Sequence, residues 1–308
     1  MKLLVIGQGL LGKGVLSCTP EGDRYPVGKI HWQAPAQARQ QLFQVATTFG
    51  RSIDGPWRVA WCAGAGVVGT SDAQFADEQS YLESFLAGLR VGAPSGPTAG
   101  GFFFASSAGG VFGLGSSLLI TEGSTESPTS AYGRSKLAQE RMISHWSMES
   151  SVPALIGRVS NLYGAGQNLA KPQGFISQLL RSMLVKRPFR LGVSGDTERD
   201  FIHVDDAAAR IHGWLYMTAE GGVTFKLIAA GQSHTLLRVV SVVRSVTRIQ
   251  PKIMYAATAG SVLQPRHLRF VSEVRKDLDA AAPSRPLEIG ISQTWHSMLR
   301  GFANGAFI

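Results

Sequence analysis

A chain of 308 residues, 44% hydrophobic and 17% charged, is long enough to bury a large core and too apolar to be disordered. Its 30 Lys+Arg against 21 Asp+Glu give a formal net charge of +9, which admits nucleic acid, an anionic membrane or a phosphorylated small molecule as a partner. Two cysteines, Cys18 and Cys62, are too few for a disulfide framework, and the apolar run Leu3 to Ile6 is too short for a secretory core, so a cytoplasmic, reducing setting is expected.

The run Leu3 to Ile6 has the length and continuity of a strand covered on both faces. Gly7-Gln8-Gly9-Leu10-Leu11-Gly12 follows at once and leads into a helical stretch, the strand–turn–helix context that a G-x-G-x-x-G phosphate cradle requires. Val27 to Gln33 is the next strand-like stretch. No Asp or Glu stands at its end to hold an adenosine ribose, while Arg24, Lys29 and Arg39 lie near enough to tolerate a 2′-phosphate, so NAD and NADP both stay open. Pro35 to Phe49 reads as a helix with proline in its first turn. Trp57 to Cys62 reads as a strand ending in Ala63-Gly64-Ala65-Gly66, small residues against which a cofactor can lie.

Asp72 to Leu89 is a helix, Gly101 to Ala105 a buried strand running into Ser106-Ser107, Ala131 to Trp146 a helix, and Ala154 to Val159 another strand. The uncharged stretch Val91 to Thr121 has the length of a membrane span, but Pro94, Pro97 and many glycines argue against a lipid-facing helix. Alternating strands and helices predict an α/β fold, a doubly wound parallel sheet (Rossmann) over residues 1–163. Residues 164–308 are less regular and form mainly a smaller C-terminal lobe, with the chain returning to the sheet near 199–230. Residues 1–150 hold eleven charges of each sign, so the whole basic surplus lies in residues 151–308. The basic residues are dispersed and not interleaved with aromatics, so neither a nucleic acid nor a membrane is expected as partner.

Tyr132 and Lys136 are four residues apart and share a helix face. An ammonium beside a phenol favours the phenolate and moves tyrosine toward service as a general acid/base. Y-x-x-x-K alone is common. It gains meaning beside the glycine turn and the serine-bearing strand end.

Gly7-x-Gly9-x-x-Gly12, Ser106-Ser107 before Val111-Phe112-Gly113, Tyr132-Gly-Arg-Ser-Lys136 and Arg199-Asp-Phe-Ile-His-Val-Asp-Asp206 occur in that order. Together they resemble the extended short-chain dehydrogenases/reductases of the NAD-dependent epimerase/dehydratase family, whose type members act on nucleotide sugars as UDP-galactose 4-epimerase does. The resemblance implies Tyr132 as catalytic acid/base, Lys136 as its partner and a holder of the nicotinamide ribose, and Ser107 as the catalytic hydroxyl with Ser106 as alternative. It places the cofactor against Gly7, Gly9, Leu10, Leu11, Gly12, Ala63, Gly64, Ala65 and Ser106, besides Tyr132 and Lys136. It gives the substrate diphosphate Asn161 and Arg199, with Arg266 or Arg269 as a second guanidinium, and Ser107 as a further substrate contact.

Arg199 has a structural alternative, an ion pair with Asp200, Asp205 or Asp206. His203 reads as a packed strand histidine, and Asp205 and Asp206 as caps of a helix from Ala207 to Thr218. No metal is expected. The implied function is an NAD(P)-dependent nucleotide-sugar epimerase working by transient oxidation, in a homodimer. A reductase of keto sugars or other carbonyl compounds using NADPH is the alternative, and a non-catalytic dinucleotide sensor the reading from another class. A dehydratase is disfavoured, since Ala108-Gly109 follows Ser107 where that branch carries Asp-Glu. The stretch from Gly12 to Trp61 is short for the family, which implies a reduced βα unit.

Overall fold

A computed structural model describes residues 1–64, 66, 70–93, 100–113, 119–171, 173–217, 221–256 and 265–305. In chain order the first half runs β1 (Lys2–Ile6), α1 (Leu10–Cys18), a 3-10 turn (Glu21–Asp23), α2 (Pro35–Arg51), β2 (Trp57–Trp61), α3 (Asp72–Gly92), β3 (Phe102–Ser107), α4 (Ala108–Val111), α5 (Ala131–Ser150), β4 (Ala154–Val159) and β5 (Asn161–Tyr163). It continues with α6 (Phe175–Leu184), β6 (Phe189–Leu191), β7 (Glu198–His203), α7 (Val204–Tyr216), β8 (Val223–Ile228), β9 (Ser233–Thr235), α8 (Leu236–Thr247), β10 (Ile253–Tyr255), α9 (Lys276–Ala281) and α10 (Leu287–Ala303).

The main sheet is parallel throughout, in the order β1-β2-β3-β4-β8. Its strands are largely buried because helices cover both faces, which is why they read as mainly apolar runs, interrupted by Arg58, Arg158 and Lys226. On one face α2, α3 and α5 bury Leu42, Phe49, Leu82, Phe85, Ile143 and Trp146 against Trp57 and Phe102. On the other, α1, α7 and α9 bury Val15, Ile211, Trp214 and Leu278 against Leu3, Val5 and Phe103. Each of these fully buried large side chains contributes roughly 1.5–3 kcal/mol of transfer free energy.

Val27 to Gln33 is not a strand. Only Arg24 bridges Leu3 in parallel, with Tyr25 N–H donating to Leu3 O at 2.8 Å, and the chain then runs irregularly into α2. The expected second βα unit is therefore reduced to one bridge at the β1 edge. Its backbone groups find other partners: Gln41 accepts from His31 N–H and donates to Lys29 O.

The chain returns to the main sheet through α7 and β8, while β7 belongs to a separate sheet of order β5-β7-β9. A third core gathers Tyr163, Ile176, Leu180, Phe201, Val239, Val243, Ile291 and Trp295 from α6, α8, α10 and the short strands. This is the small lobe, completed by the parallel pair β6 and β10.

Candidate active site

The turn after β1 is built on glycine. Gly7 has φ +89, and a Cβ there would stand 2.3 Å from Ala63 N; one on Gly12 would stand 2.1 Å from Gly7 O. Gly9, by contrast, has nothing within 4 Å of its Cβ position, so the backbone opens onto free space where α1 begins. Leu11 turns its side chain into the core, so Leu10 and Leu11 can offer only backbone N–H groups to a ligand there. Ala63 and Gly64 follow β2 across this turn; Ala65 lies outside the described residues.

Tyr132 and Lys136 sit in the first turns of α5, which Ser130 caps by accepting from Gly133 N–H at 3.1 Å. Two glycines let this helix approach: a Cβ on Gly133 would stand 2.0 Å from Gly110 O, and one on Gly110 would stand 2.9 Å from the Tyr132 ring. The Lys136 ammonium donates to Ala105 O at 3.4 Å and Gln139 Oε1 at 3.2 Å, and lies 3.3 Å from where a Gly64 Cβ would be. That position suits a grip on a ribose lying over Gly64.

The two serines at the end of β3 part company because neighbours on a strand point to opposite faces. Ser107 accepts from Gly110 N–H at 3.2 Å, capping the short turn of α4, and its side chain hydrogen-bonds at Tyr132. Ser106 points the other way and donates to Glu140, whose carboxylate takes Arg158 Nε at 3.1 Å and Nη2 at 2.8 Å. Ser106 thus commits its hydroxyl to a buried network on the face away from Tyr132, against its expected place as alternative catalytic hydroxyl.

Burial holds the Tyr132 phenol above its ordinary pKa; the Ser107 hydrogen bond opposes this and the Glu78 carboxylate reinforces it. Burial likewise holds the Lys136 ammonium below its ordinary pKa, against the pull of Glu78, Glu140 and Cys62. Tyr132 is therefore shifted in the direction opposite to the expected depression, with burial as the main cause. Glu78 was not legible as a site residue. Its carboxylate accepts from Gly66 N–H at 2.8 Å and lies 3.9 Å from the Gly64 Cβ position. The available signal was a carboxylate on the apolar stripe Phe75–Glu78–Leu82–Phe85 of α3. Burial pushes the free Cys62 thiol up to about 12.

The small lobe brings a second group. Asn161 opens β5 and donates to Asp200 O at 2.8 Å. Arg199, on β7, donates to Glu198 O at 2.8 Å, and burial pushes its guanidinium down to about 10. Asp200 is bonded elsewhere, by Ser160 Oγ at 2.6 Å and by the N–H groups of Ala230, Gly231 and Gln232. Asp205 and Asp206 are bound by Arg285. They do not cap their helix: His203 does, its Nδ1 accepting from Asp205 N–H at 3.3 Å. Arg266 and Arg269 flank β7 but are paired, Arg266 with Asp196 and Arg269 with Glu198 in two bonds of 2.7 and 2.8 Å. Neither guanidinium is held out for a substrate. Among the described residues no cluster has the composition of a metal site, and no helix is long and apolar enough to cross a membrane.

Comparison with known proteins bears on the same residues. A dTDP-L-rhamnose 4-epimerase from Burkholderia thailandensis is 33% identical over 173 residues, 54% of this chain and 46% of that protein. A dTDP-glucose 4,6-dehydratase from Escherichia coli is 24% identical over 191 residues. The chain spans about half the length of the curated relatives it matches. In fold it is similar to a UDP-glucose 4-epimerase from Thermotoga maritima solved with UDP-glucose, with a TM-score of 0.80 at 20% identity over 98% of this chain and 100% of that one. MoeE5, solved with UDP-glucose and NAD, gives 0.76 at 20% identity over 98% of this chain and all of that one. The family model for NAD dependent epimerases/dehydratases matches residues 61–225, starting at the end of β2 and so beyond the reduced βα unit. Since that match takes in Ser107, Tyr132, Lys136, Asn161 and Arg199 and more than half of the sequence, the chain belongs to the NAD dependent epimerase/dehydratase family.

Proposed function

We propose that this chain is an NAD(P)-dependent nucleotide-sugar epimerase that works by transient oxidation of a sugar hydroxyl. The observation that carries the reading is the meeting of Ser107 and Tyr132 beside Lys136, next to a glycine turn left open at Gly9. The dTDP-L-rhamnose 4-epimerase that matches at 33% identity supports this reading, as do the UDP-sugars named for the similar folds.

The residues fit a dinucleotide. Gly7 and Gly12 leave no room for a side chain, Gly9 leaves open space, and the first N–H groups of α1 suit a pyrophosphate. NAD, when bound, supplies the hydride acceptor and donor. Lys136, at Gly64, would hold the ribose next to the nicotinamide. Tyr132 Oη takes the proton from the sugar hydroxyl and later gives it back. Ser107 hydrogen-bonds that same sugar oxygen, fixing it in line with the phenol. Burial favours the protonated phenol and the Ser107 hydrogen bond favours the phenolate, so Tyr132 gives its own proton to solvent before it takes the one from the sugar hydroxyl. Arg199 pairs with the diphosphate, its charge little hydrated and suited to bidentate contact, and Asn161 adds a neutral contact. No carboxylate follows Ser107, where Ala108 and Gly109 stand, so the elimination of a dehydratase is not served there.

A keto-sugar reductase using NADPH is the second reading, favoured by one feature: the reduced unit after Arg24 leaves no carboxylate for an adenosine ribose. Tightly copurifying NAD supports the epimerase, and exchangeable NADPH the reductase. A homodimer through α3 and α5 belongs to the proposal, supported by Val91 and Met148 exposed on those helices. The deciding test is Tyr132→Phe assayed against UDP-, GDP- and dTDP-sugars. Turnover should fall by about a hundredfold to ten-thousandfold with cofactor binding kept. Full turnover on every substrate that the wild type accepts sinks the proposal.

A further inference from the structure

We propose that the outer end of the small lobe is a docking surface for an anionic lipid bilayer. The inference stands apart from the proposed activity, and it places a membrane partner where sequence alone predicts none.

The surface is made by two α–β units laid side by side. In one, α6 passes through Lys186-Arg187-Pro188 into β6. In the other, α8 passes through Arg248 to Lys252 into β10. The strands are parallel with Ile253 opposite Phe189, and Phe189 N–H donates to Lys252 O at 2.8 Å, so the two connections meet at one end. That end lies at the starts of the strands. The chain reaches Glu198 and Arg199 only after leaving β6 at its other end, so the surface is distinct from the candidate active site.

Lys186, Arg187, Arg190, Arg248 and Lys252 are all exposed there, and none of them makes an ion pair with a described residue. The stretches 171–195 and 236–256 hold nine Lys/Arg and no Asp or Glu, a number equal to the net charge of the whole chain. The nearest exception, Arg238, pairs with Glu288 at the opposite end of α8. Helix dipoles account for Arg181 and Arg244, in the last turns of α6 and α8, but not for the cations beyond the helix ends. Both helices also end on a basic residue in the left-handed region, Lys186 with φ 55 and Arg248 with φ 57, where glycine would relieve the strain. Each connection keeps a long cationic side chain at a position that local geometry would give to glycine.

Apolar side chains stand among these cations: Ile249 is 46% exposed, Met254 49% and Tyr255 64%. Met254 is the register partner of Arg190, so one strand pair shows both kinds to solvent. Isoleucine and methionine offer a nucleic acid neither a stacking plane nor a hydrogen bond; they gain by entering hydrocarbon. Cations that reach headgroups around apolar groups that can enter the acyl boundary match a bilayer rich in anionic lipid, at about fivefold in partition per basic residue.

The test uses the full chain and floated vesicles of phosphatidylcholine with or without about 30 mol% phosphatidylserine, in low and high salt. The wild type should float with the anionic vesicles, stay behind with pure phosphatidylcholine, and lose binding as salt rises. The triple variant Lys186→Gln/Arg187→Gln/Lys252→Gln should bind the anionic vesicles about a hundredfold more weakly with its melting curve unchanged. Ile249→Ser/Met254→Ser should bind more weakly at every salt concentration. Failure of the wild type to float, equal binding by wild type and triple variant, or tighter binding to a single-stranded oligonucleotide that survives Ile249→Ser/Met254→Ser each overturns the proposal.

Discussion

The charges around the cleft and those at the outer end of the small lobe follow opposite rules. Behind Ser106, Arg158 is buried between the rings of Phe112 and Phe225 and held by Glu140 and Glu126. On the small-lobe rim, Arg266, Arg269 and Arg285 each face a carboxylate. At the outer end Lys186, Arg187, Arg190, Arg248 and Lys252 have none among the described residues. The net charge of +9 admitted several anionic partners, and these cations without a carboxylate partner gather at the outer end. Paired charges set geometry, and unpaired ones are left for a partner.

The largest effect should come from breaking the buried side of this comparison. Arg158→Ala leaves Glu140 ionised and unpaired in the interior, which costs about 3–5 kcal/mol. Replacing both partners, as Glu140→Gln/Arg158→Met, should cost clearly less because no buried charge is stranded. Urea unfolding of the two variants decides it, and equal losses would mean that the pair packs as volume and its charges count for nothing.

The sequence made the strong layers of this fold readable and left its cross-connections dark. Leu3–Ile6 and most of Ala154–Val159 were legible as strands because parallel strands buried on both faces are mainly apolar, Arg158 being the one charged position. The Tyr132–Lys136 spacing was legible because a helix turn sets it locally. Val27 to Gln33 misled because Ile30 and Trp32 have strand-like side chains, while only Arg24 pairs with the β1 edge and the residues after it run irregularly into α2. Ser107 ranked above Ser106 only through the resemblance, since the face each takes shows in its partners, Glu140 on one side and Gly110 on the other. Asp200 was legible only as a motif letter; its carboxylate partners at 230–232 come from a connection thirty residues away.

Asp200 supplies the next effect. Burial pushes its carboxyl up to about 6, although Ser160 and three backbone N–H groups favour the charged form. A folded-state pKa above the ordinary 3.8 means that protonation favours the fold. The contribution is complete below about 4 and is lost as pH rises through about 6, up to about 3 kcal/mol at 1.36 kcal/mol for each tenfold change in proton affinity. Asp200→Asn should flatten the stability profile across that window. Because Asp200 ties Asn161 and Ser160 to the 230–232 connection, the variant should also raise KM for a nucleotide sugar more than it lowers kcat. An unchanged profile would show that Asp200 stays ionised throughout.

The smallest effect separates the rim from the outer end directly. Arg269 meets Glu198 in a two-bond contact that is half open to water, so Arg269→Ala should lower the melting temperature slightly at low salt. The loss should vanish near 1 M salt, where screening acts within about 3 Å. Lys252→Ala removes a cation surrounded by like charge, so at low salt the melting temperature should stay level or rise, and high salt should erase any gain. The two variants thus differ in sign at low salt and agree at high salt. A salt-resistant loss in Lys252→Ala would mean that this cation braces the β6–β10 connection, and the outer end would then obey the same rule of paired charge as the cleft.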